Sequence, residues 1–151
     1  MQLTQKVYGA HELSSDRYRT RGGETLPITI DQRGRLAEEQ AKQLLESKGY
    51  KILVQRYKCK LGEIDLIATD QETLVSVEVK YRRIYSDAAE SISTRQRKRI
   101  LNTLGYFLFE HQDLSLEYPF LRIDVVLLCQ ESEPIHLINA WQSQDDVYEF
   151  Y

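Results

Sequence analysis

The sequence predicts an α/β domain in which helices pack on a central mixed sheet of about five strands. Two stretches with helical spacing, near residues 33–48 and 93–110, interrupt five β-rich stretches in the order α-β-β-β-α-β-β. Two of those strands, Gly62-Glu63-Ile64-Asp65-Leu66-Ile67-Ala68 and Val75-Ser76-Val77-Glu78-Val79-Lys80, flank a polar turn at Asp70, Gln71, Glu72 and Thr73, which is a hairpin signal. The chain has 151 residues, 42% hydrophobic and 28% charged, enough for one domain with a real core.

Residues 1–30 are polar, with Arg17, Arg19, Arg21 and the Gly22-Gly23 pair, and have no sustained period. They read as an N-terminal extension, with a nucleic-acid-touching arm as the functional alternative. The domain proper is expected over residues 31–142. Its first helix runs from about Arg33 to Lys48, capped by Asp31 and ended by Gly49. Ala37, Ala41, Leu44, Leu45 and Lys48 form its inner stripe. Glu38 falls at the edge of that stripe, where a carboxylate needs a partner, while Glu39 points outward.

Lys51 to Cys59 reads as the first strand and leads into the hairpin. Closing the hairpin over Asp70 to Thr73 sets Thr69 against Leu74, Ala68 against Val75, Leu66 against Val77 and Ile64 against Val79. One face is then apolar, and on the other Asp65 falls opposite Glu78 and Glu63 opposite Lys80. Opposed side chains lie about 5 Å apart, so two carboxylates there repel unless a proton or cation sits between them. A divalent metal with oxygen ligands suits that position. Lys80, two residues beyond Glu78, points to the same side. The plainer reading keeps Glu63 and Lys80 as a solvated pair, with Asp65 and Glu78 merely exposed.

Arg82 to Glu90 reads as a polar connection, and Ser91 or Ser93 can cap a second helix reaching about Glu110. Its stripe is Arg97, Ile100, Leu101, Leu104, Phe107 and Leu108. Arg95, Arg97, Lys98 and Arg99 crowd its first turns, where cations oppose the macrodipole, so an anionic ligand competes with a solvated charged face as the explanation. Phe120 to Cys129 and Pro134 to Trp141 read as the last strands, and residues 143–151 as an acidic, aromatic tail.

The net charge of −3 gives no global basic character, but seven Lys or Arg lie between Lys80 and Arg99 and five acids with no Lys or Arg between Glu131 and Tyr151. One basic patch is expected. Cys59 and Cys129 sit in apolar stretches without metal-type spacing and read as buried reduced thiols. His11, His111 and His136 show no ligand spacing and read as structural, and Trp141 reads as a core plug. No apolar run approaches the ~20 residues of a membrane span, and no secretory signal is visible, so a cytoplasmic protein is expected.

Helix, strand, Gly-Glu-Ile-Asp, a strand ending Glu-Val-Lys, then helix resembles the PD-(D/E)xK, restriction-endonuclease-like nuclease fold. More closely, the chain resembles the YraN-type family of uncharacterised bacterial proteins, which are similar to Holliday-junction resolvases. The matching stretches are Glu38-x-x-Ala41, Gly49-Tyr50-x-Ile52-Leu53, Gly62 to Ala68, Val77-Glu78-Val79-Lys80-x-Arg82 and Arg122-x-Asp124-Val125-Val126. They span roughly residues 33 to 142.

The resemblance implies that Asp65 and Glu78, with the Val79 carbonyl, hold Mg²⁺ or Mn²⁺. It implies that Lys80 orients or deprotonates a water or steadies transition-state charge, and that Glu38 completes the site. Glu63 is expected to hold Lys80 or another basic neighbour. Asp124 matches the family as well, with a structural pairing to Arg122 as the alternative. The chain departs from the family at Ala37, where a glycine is usual, at Gln55-Arg56-Tyr57, and near Arg95 or Gln96, where the second helix usually carries a lysine.

Phosphate contacts are expected from Arg82, Arg83, Arg95, Arg97 and Lys98, giving salt-dependent binding without sequence reading. Tyr57 and Tyr81 are either base-stacking tyrosines or core or rim tyrosines. The function expected is metal-dependent hydrolysis of phosphodiester bonds in DNA, with branched or damaged DNA as candidate substrates and a homodimer by analogy with resolvases. The rivals are a non-catalytic nucleic-acid-binding or scaffold protein that keeps the fold, and an interaction module acting through the acidic tail.

Overall fold

The computed structural model describes residues 17–19, 22–23, 25–82, 93–129 and 132–140. The first described elements form a two-stranded antiparallel ribbon, β1 (Arg17–Arg19) and β2 (Thr25–Pro27), inside the stretch read as an N-terminal extension. Strands of this length have no period to read, so the ribbon was illegible in the sequence.

Helix α1 (Ile30–Ser47) begins at Ile30 rather than Arg33. Thr29 is its cap: the Thr29 hydroxyl accepts from the Gln32 N–H at 3.2 Å, and the Gln32 side chain accepts from the Thr29 N–H at 2.9 Å. This reciprocal box satisfies two free N–H groups and outcompetes Asp31 as the start signal. Asp31 instead lies in the first turn and pairs with Arg35. Of the expected inner stripe, Ala37, Ala41 and Leu45 are buried and Leu44 is half-buried, but Lys48 is the C-cap and is exposed because the helix ends before it.

Three strands follow, β3 (Lys51–Cys59), β4 (Gly62–Asp70) and β5 (Thr73–Arg82). Helix α2 (Thr94–Glu110) is capped by Ser93, and a short helix α3 (Gln112–Glu117), absent from the expected order, precedes β6 (Phe120–Cys129) and β7 (Ser132–Leu137). The six residues of α3 are too few to show a helical period. Strand β7 stops short of Trp141: Asn139 adopts φ +49 and donates its N–H to Asp124 at 2.9 Å, which turns the chain. His11, Trp141 and residues 143–151 lie outside the described residues, as does most of the polar connection after Arg82.

The sheet order is β3-β4-β5-β6-β7. Only β5 and β6 run parallel, joined by the crossover that carries α2. Helix α1 covers one face, packing Ala37, Ala41 and Leu45 on Leu66, Ala68, Val75, Val77, Val126 and Leu128. Helix α2 covers the other, with Ile100, Leu104 and Phe107 against Ile64, Ile67, Leu74, Ile123, Val125 and Leu127. Strand β5 is therefore buried on both sides over Leu74 to Val77. This is a mixed α/β architecture of the restriction-endonuclease-like kind. Among the described residues no helix is long and apolar enough to cross a membrane.

The expected hairpin register holds for Thr69↔Leu74, Ala68↔Val75 and Leu66↔Val77, and Asp70↔Thr73 tightens the loop to Gln71 and Glu72. The pairing then ends. Ile64 does not reach Val79; it joins the α2 cluster, whereas Val79 packs in the α1 cluster. The expected continuous apolar face is broken between Ile64 and Leu66. Facing this break on β3, Arg56 adopts φ +52 between the pairs Gln55↔Leu66 and Tyr57↔Ile64, across which the register itself does not shift, and a left-handed residue inside a strand disturbs the alternation of faces. Cys59 and Cys129 are not in a disulfide among the described residues, and both are half-buried rather than buried as expected.

Gly62 opens β4 directly under α2. Its φ is +157, and a Cβ there would lie 2.7 Å from Thr103 Oγ1 and 3.0 Å from Arg99 Cγ. Thr103 is fully buried and its hydroxyl donates to the Arg99 carbonyl, so it has little room to give way. Gly62→Ala should therefore lower stability by about 1–3 kcal/mol. Urea denaturation reads this as a drop in midpoint at constant m-value; an unchanged midpoint would mean α2 is free to lift off β4.

Candidate functional site

Where β4 and β5 part, the backbone of β5 finds a side chain instead of a strand. Asp65 Oδ2 accepts from the Val79 N–H at 2.8 Å. The expected square opposition of Asp65 and Glu78 is thus replaced by a fork, because the ladder ends at Leu66↔Val77. The two carboxylates still act on each other. Burial, then the neighbouring Glu78 charge, push the Asp65 carboxyl up to about 7, against the Val79 hydrogen bond that favours the ionised form; Glu38 and Glu63 push the same way as Glu78.

Glu78 and Lys80 point to one side of β5, as expected from their spacing. Lys80 Nζ donates to Glu78 Oε1 at 2.8 Å, with the two side chains 22% and 16% exposed. Gln96 Nε2, from the first turn of α2, donates to the same oxygen at 2.9 Å. Glu63 does not face Lys80: it pairs with Lys58 at 3.0 Å and lies 4.0 Å from Arg56. Glu63 is the register partner of Lys58 across the β3–β4 ladder, so the basic neighbour it holds is Lys58.

Glu38 comes from α1, at the edge of the buried face, as its place in the helix requires. Arg56 Nε lies 3.3 Å from Glu38 Oε2, but its N–H is not aimed there and is left buried without a hydrogen bond among the described residues. We read the pair as an ion pair by distance rather than a hydrogen bond. Arg56 also approaches Asp31 at 3.5 Å. Burial raises the Glu38 carboxyl and Arg56 opposes it, with a net rise. Arg56 and Gln96 are the site neighbours that the sequence reading missed. Both lie where the chain departs from the family pattern, at Gln55-Arg56-Tyr57 and near the position where the second helix usually carries a lysine, and those departures were the signal available for them.

Among the described residues no three His, Cys, Asp or Glu side chains gather into a ready-made metal cluster. The donor set that does exist is hard and anionic. Val79 engages one oxygen of Asp65, and Lys80 and Gln96 engage one oxygen of Glu78, which leaves one oxygen of each carboxylate open among the described residues. Burial first, then the charges of Glu78, Glu38 and Glu63, make the Asp65 carboxylate costly to ionise without a cation beside it. These features fit a magnesium-like ion that keeps several water ligands.

The basic face is partly as expected. Arg82, Arg95 and Lys98 are exposed, and Arg82 also donates to the Tyr81 carbonyl at 2.8 Å. Arg97 is only 9% exposed and lies on the inner stripe of α2, so it is not presented to a surface ligand as the phosphate reading expected; its spacing with Ile100 and Leu104 turns it inward. Arg83 lies outside the described residues. Arg99 is exposed and, with Ser93, Arg95 and Gln96, lines a cavity of about 440 Å³. Tyr57 is a rim residue: its hydroxyl donates to Glu110 at 2.6 Å and its ring meets Phe107 edge-on.

Asp124 belongs to a different assembly. It is fully buried and accepts from Arg122 Nε at 2.8 Å, Arg122 Nη2 at 3.0 Å and the Asn139 N–H, with His136 Nε2 at 2.8 Å. Arg122 also reaches Asp70 at 3.1 Å and the Tyr50 hydroxyl at 2.7 Å. Burial would raise the Asp124 carboxyl, but the bonds from His136, Arg122 and Asn139 prevail and hold it below its ordinary value. With its oxygens taken, Asp124 ties β6 to β7 and to the start of β3; of the two readings open in the sequence, this is the structural one.

A family model described as "Uncharacterised protein family UPF0102" matches residues 37–128, a span that contains Glu38, Asp65, Glu78, Lys80 and Asp124. The chain is similar to a UPF0102 protein of Azorhizobium caulinodans, 39% identical over 111 residues that cover 73% of this chain and 82% of the relative. It is similar to UPF0102 protein BRADO0179 of a Bradyrhizobium species, 40% identical over 111 residues and 77% of that protein. A UPF0102 protein of Psychromonas ingrahamii is 36% identical over 113 residues and 89% of its length.

The Asp65 carboxyl has a stability signature. Its folded value of about 7 exceeds the ordinary 3.8, so the native state holds the proton more tightly than the unfolded chain. Its contribution is therefore retained at low pH and lost as pH rises from about 4 through 7. Asp65→Asn, which can still accept from Val79, should be more stable than the wild type by roughly 2–4 kcal/mol at pH 8 in metal-free buffer, with the gap closing toward pH 4. Thermal melts of both proteins across that range check it; a pH-independent gap would mean Asp65 is not electrostatically stressed.

Proposed function

The chain belongs to the UPF0102, or YraN, family, which is PD-(D/E)xK nuclease-like, and from that premise we propose that it is a metal-dependent endonuclease hydrolysing phosphodiester bonds in DNA. The observation that carries the reading is the Asp65 carboxylate, bonded to the Val79 amide next to the Glu78–Lys80 pair and pushed up to about 7 by burial and the Glu78 charge. A structural carboxylate is ordinarily given a cation or a full set of donors. Asp124 has such a set and Asp65 does not.

Asp65 and Glu78, with the Val79 carbonyl, would hold Mg²⁺ or Mn²⁺. When bound, the ion would lower the pKa of a water and neutralise phosphate charge. Val79 fixes the Asp65 rotamer through its N–H. Lys80 is kept beside Glu78 as a cation, which suits it to steady the negative charge that grows on the phosphoryl oxygens as water attacks phosphorus and the P–O bond breaks. Glu38, held by Arg56, adds to the negative field that favours a cation at Asp65. Arg82, Arg83, Arg95 and Lys98 would grip flanking phosphates, while Arg97 packs the helix that carries two of them. Branched or damaged DNA is the substrate class proposed, and a symmetric homodimer would meet two scissile bonds. The rival, a binder that keeps the fold, draws on the lack of a three-residue metal cluster among the described residues.

The test is cleavage of linear, single-stranded and four-way DNA with Mg²⁺ or Mn²⁺. Wild-type cleavage should require metal, and Asp65→Asn and Lys80→Ala should each reduce kcat by about 10²-fold or more. A folded wild type that cuts none of these DNAs favours the binder. Binding without cleavage, measured with Asp65→Asn, should weaken with salt, and Arg95→Ala or Lys98→Ala should each lower the log–log salt slope by about 1. Unchanged slopes would remove that face from the DNA contact.

A further inference from the structure

Both long helices begin with the same signature, a hydroxyl residue followed three places later by glutamine: Thr29 and Gln32 in α1, Ser93 and Gln96 in α2. In α1 the reciprocal box closes. In α2 only half of it forms. The Ser93 hydroxyl accepts from the Gln96 N–H at 3.2 Å, but the Gln96 side chain turns away and donates to Glu78 on β5. A local bond that would support the helix is given up for a bond across to the sheet.

We propose that Gln96 is a positioning residue of the hydrolytic site, holding Glu78 so that its open oxygen stays turned to the cation when Lys80 moves to the phosphate. Glu78 Oε1 has two donors, Lys80 Nζ at 2.8 Å and Gln96 Nε2 at 2.9 Å. They differ in what else they can do. Lys80 shares its strand with Glu78 and, at 22% exposure, can follow a substrate phosphate with its long stem. Gln96 is neutral and is fixed by the backbone of the helix that caps on Ser93. An ammonium that leaves Glu78 removes one donor and one charge; the amide keeps the carboxylate oriented. Gln96 also lines the cavity shared with Ser93, Arg95 and Arg99, so the helix turn that would grip the DNA backbone is the one that sets the carboxylate. This inference rests on the metal-dependent reading of the site.

Its test measures metal affinity apart from cleavage. Mn²⁺ binding, followed by water-proton relaxation, is compared for wild type, Gln96→Met and Gln96→Ala. Loss of an outer hydrogen bond to a ligand weakens metal binding about 10–100-fold. The expected result is a Kd for Mn²⁺ raised about tenfold or more with little change in Tm. The half-saturating Mg²⁺ for cleavage should rise by the same factor, with kcat recovering at saturating metal. If the wild type cuts no DNA but the Mn²⁺ affinities still differ, the hydrolytic reading fails and the role of Gln96 stands. Wild-type affinity in both variants, a loss of Tm with unchanged affinity, or a wild type that binds no Mn²⁺ overturns the proposal. Should the variants fail to fold, the wild-type Gln96 side-chain amide resonance decides. Early broadening by Mn²⁺ supports the role, and an unbroadened signal sinks it.

Discussion

When the β4–β5 ladder stops at Leu66↔Val77, the amide of Val79 still needs an acceptor, because a buried N–H left unpaired is costly. Asp65 supplies it. That one bond draws a carboxylate into the body of the fold, beside Glu78 and in the field of Glu38, and the acid becomes hard to ionise there. The rest of the site is arranged around this constraint: Lys80 and Gln96 attend to Glu78, Arg56 attends to Glu38, and the negative charge of Asp65 is left for something from outside the chain.

The fork is matched by a local irregularity in β3. Arg56 takes a left-handed conformation facing the Asp65 position, and Ile64 and Leu66 depart to opposite core layers. A conformation of this kind costs of order 1–3 kcal/mol and persists only where the surroundings over-determine it. Here the surroundings are two fully packed layers on either side of β5. The Arg56 guanidinium, set among Glu38, Asp31 and Glu63, balances part of the acidic cluster without bonding ideally to any one member.

Asp65, half-buried, and Asp124, fully buried, show how differently one fold treats two aspartates. Asp124 receives Arg122, His136 and the Asn139 amide, and its carboxyl is held low. It pins the sheet edge and stops β7. Asp65 receives a single amide and is held high. One carboxylate is fully buried and finished as a structural joint, the other is half-buried with a single amide donor, and the contrast in their partners separates the roles.

Much of this was legible in the chain itself. The apolar stripe Ala37, Ala41 and Leu45, the limits of β3 and β6, and the hairpin register through Leu66↔Val77 follow from periodicity and turn chemistry, which act between near neighbours. The family resemblance singled out Glu38, Asp65, Glu78 and Lys80 by motif. Other features came from contacts between distant segments. Thr29 rather than Asp31 starts α1 because a reciprocal box is stronger than a lone cap. Arg97 is spent inward because α2 lies flat on the sheet. Gln96 looks like a capping residue until β5 is brought beside it, and Glu63 looks like a partner for Lys80 until the β3–β4 ladder sets Lys58 opposite it. Local spacing alone determined which residues share a face of a helix or strand; the packing of α1 and α2 against a sheet that splits at Leu66 decided which of them meet, since there the Val79 amide loses its regular strand partner and recruits a side chain instead.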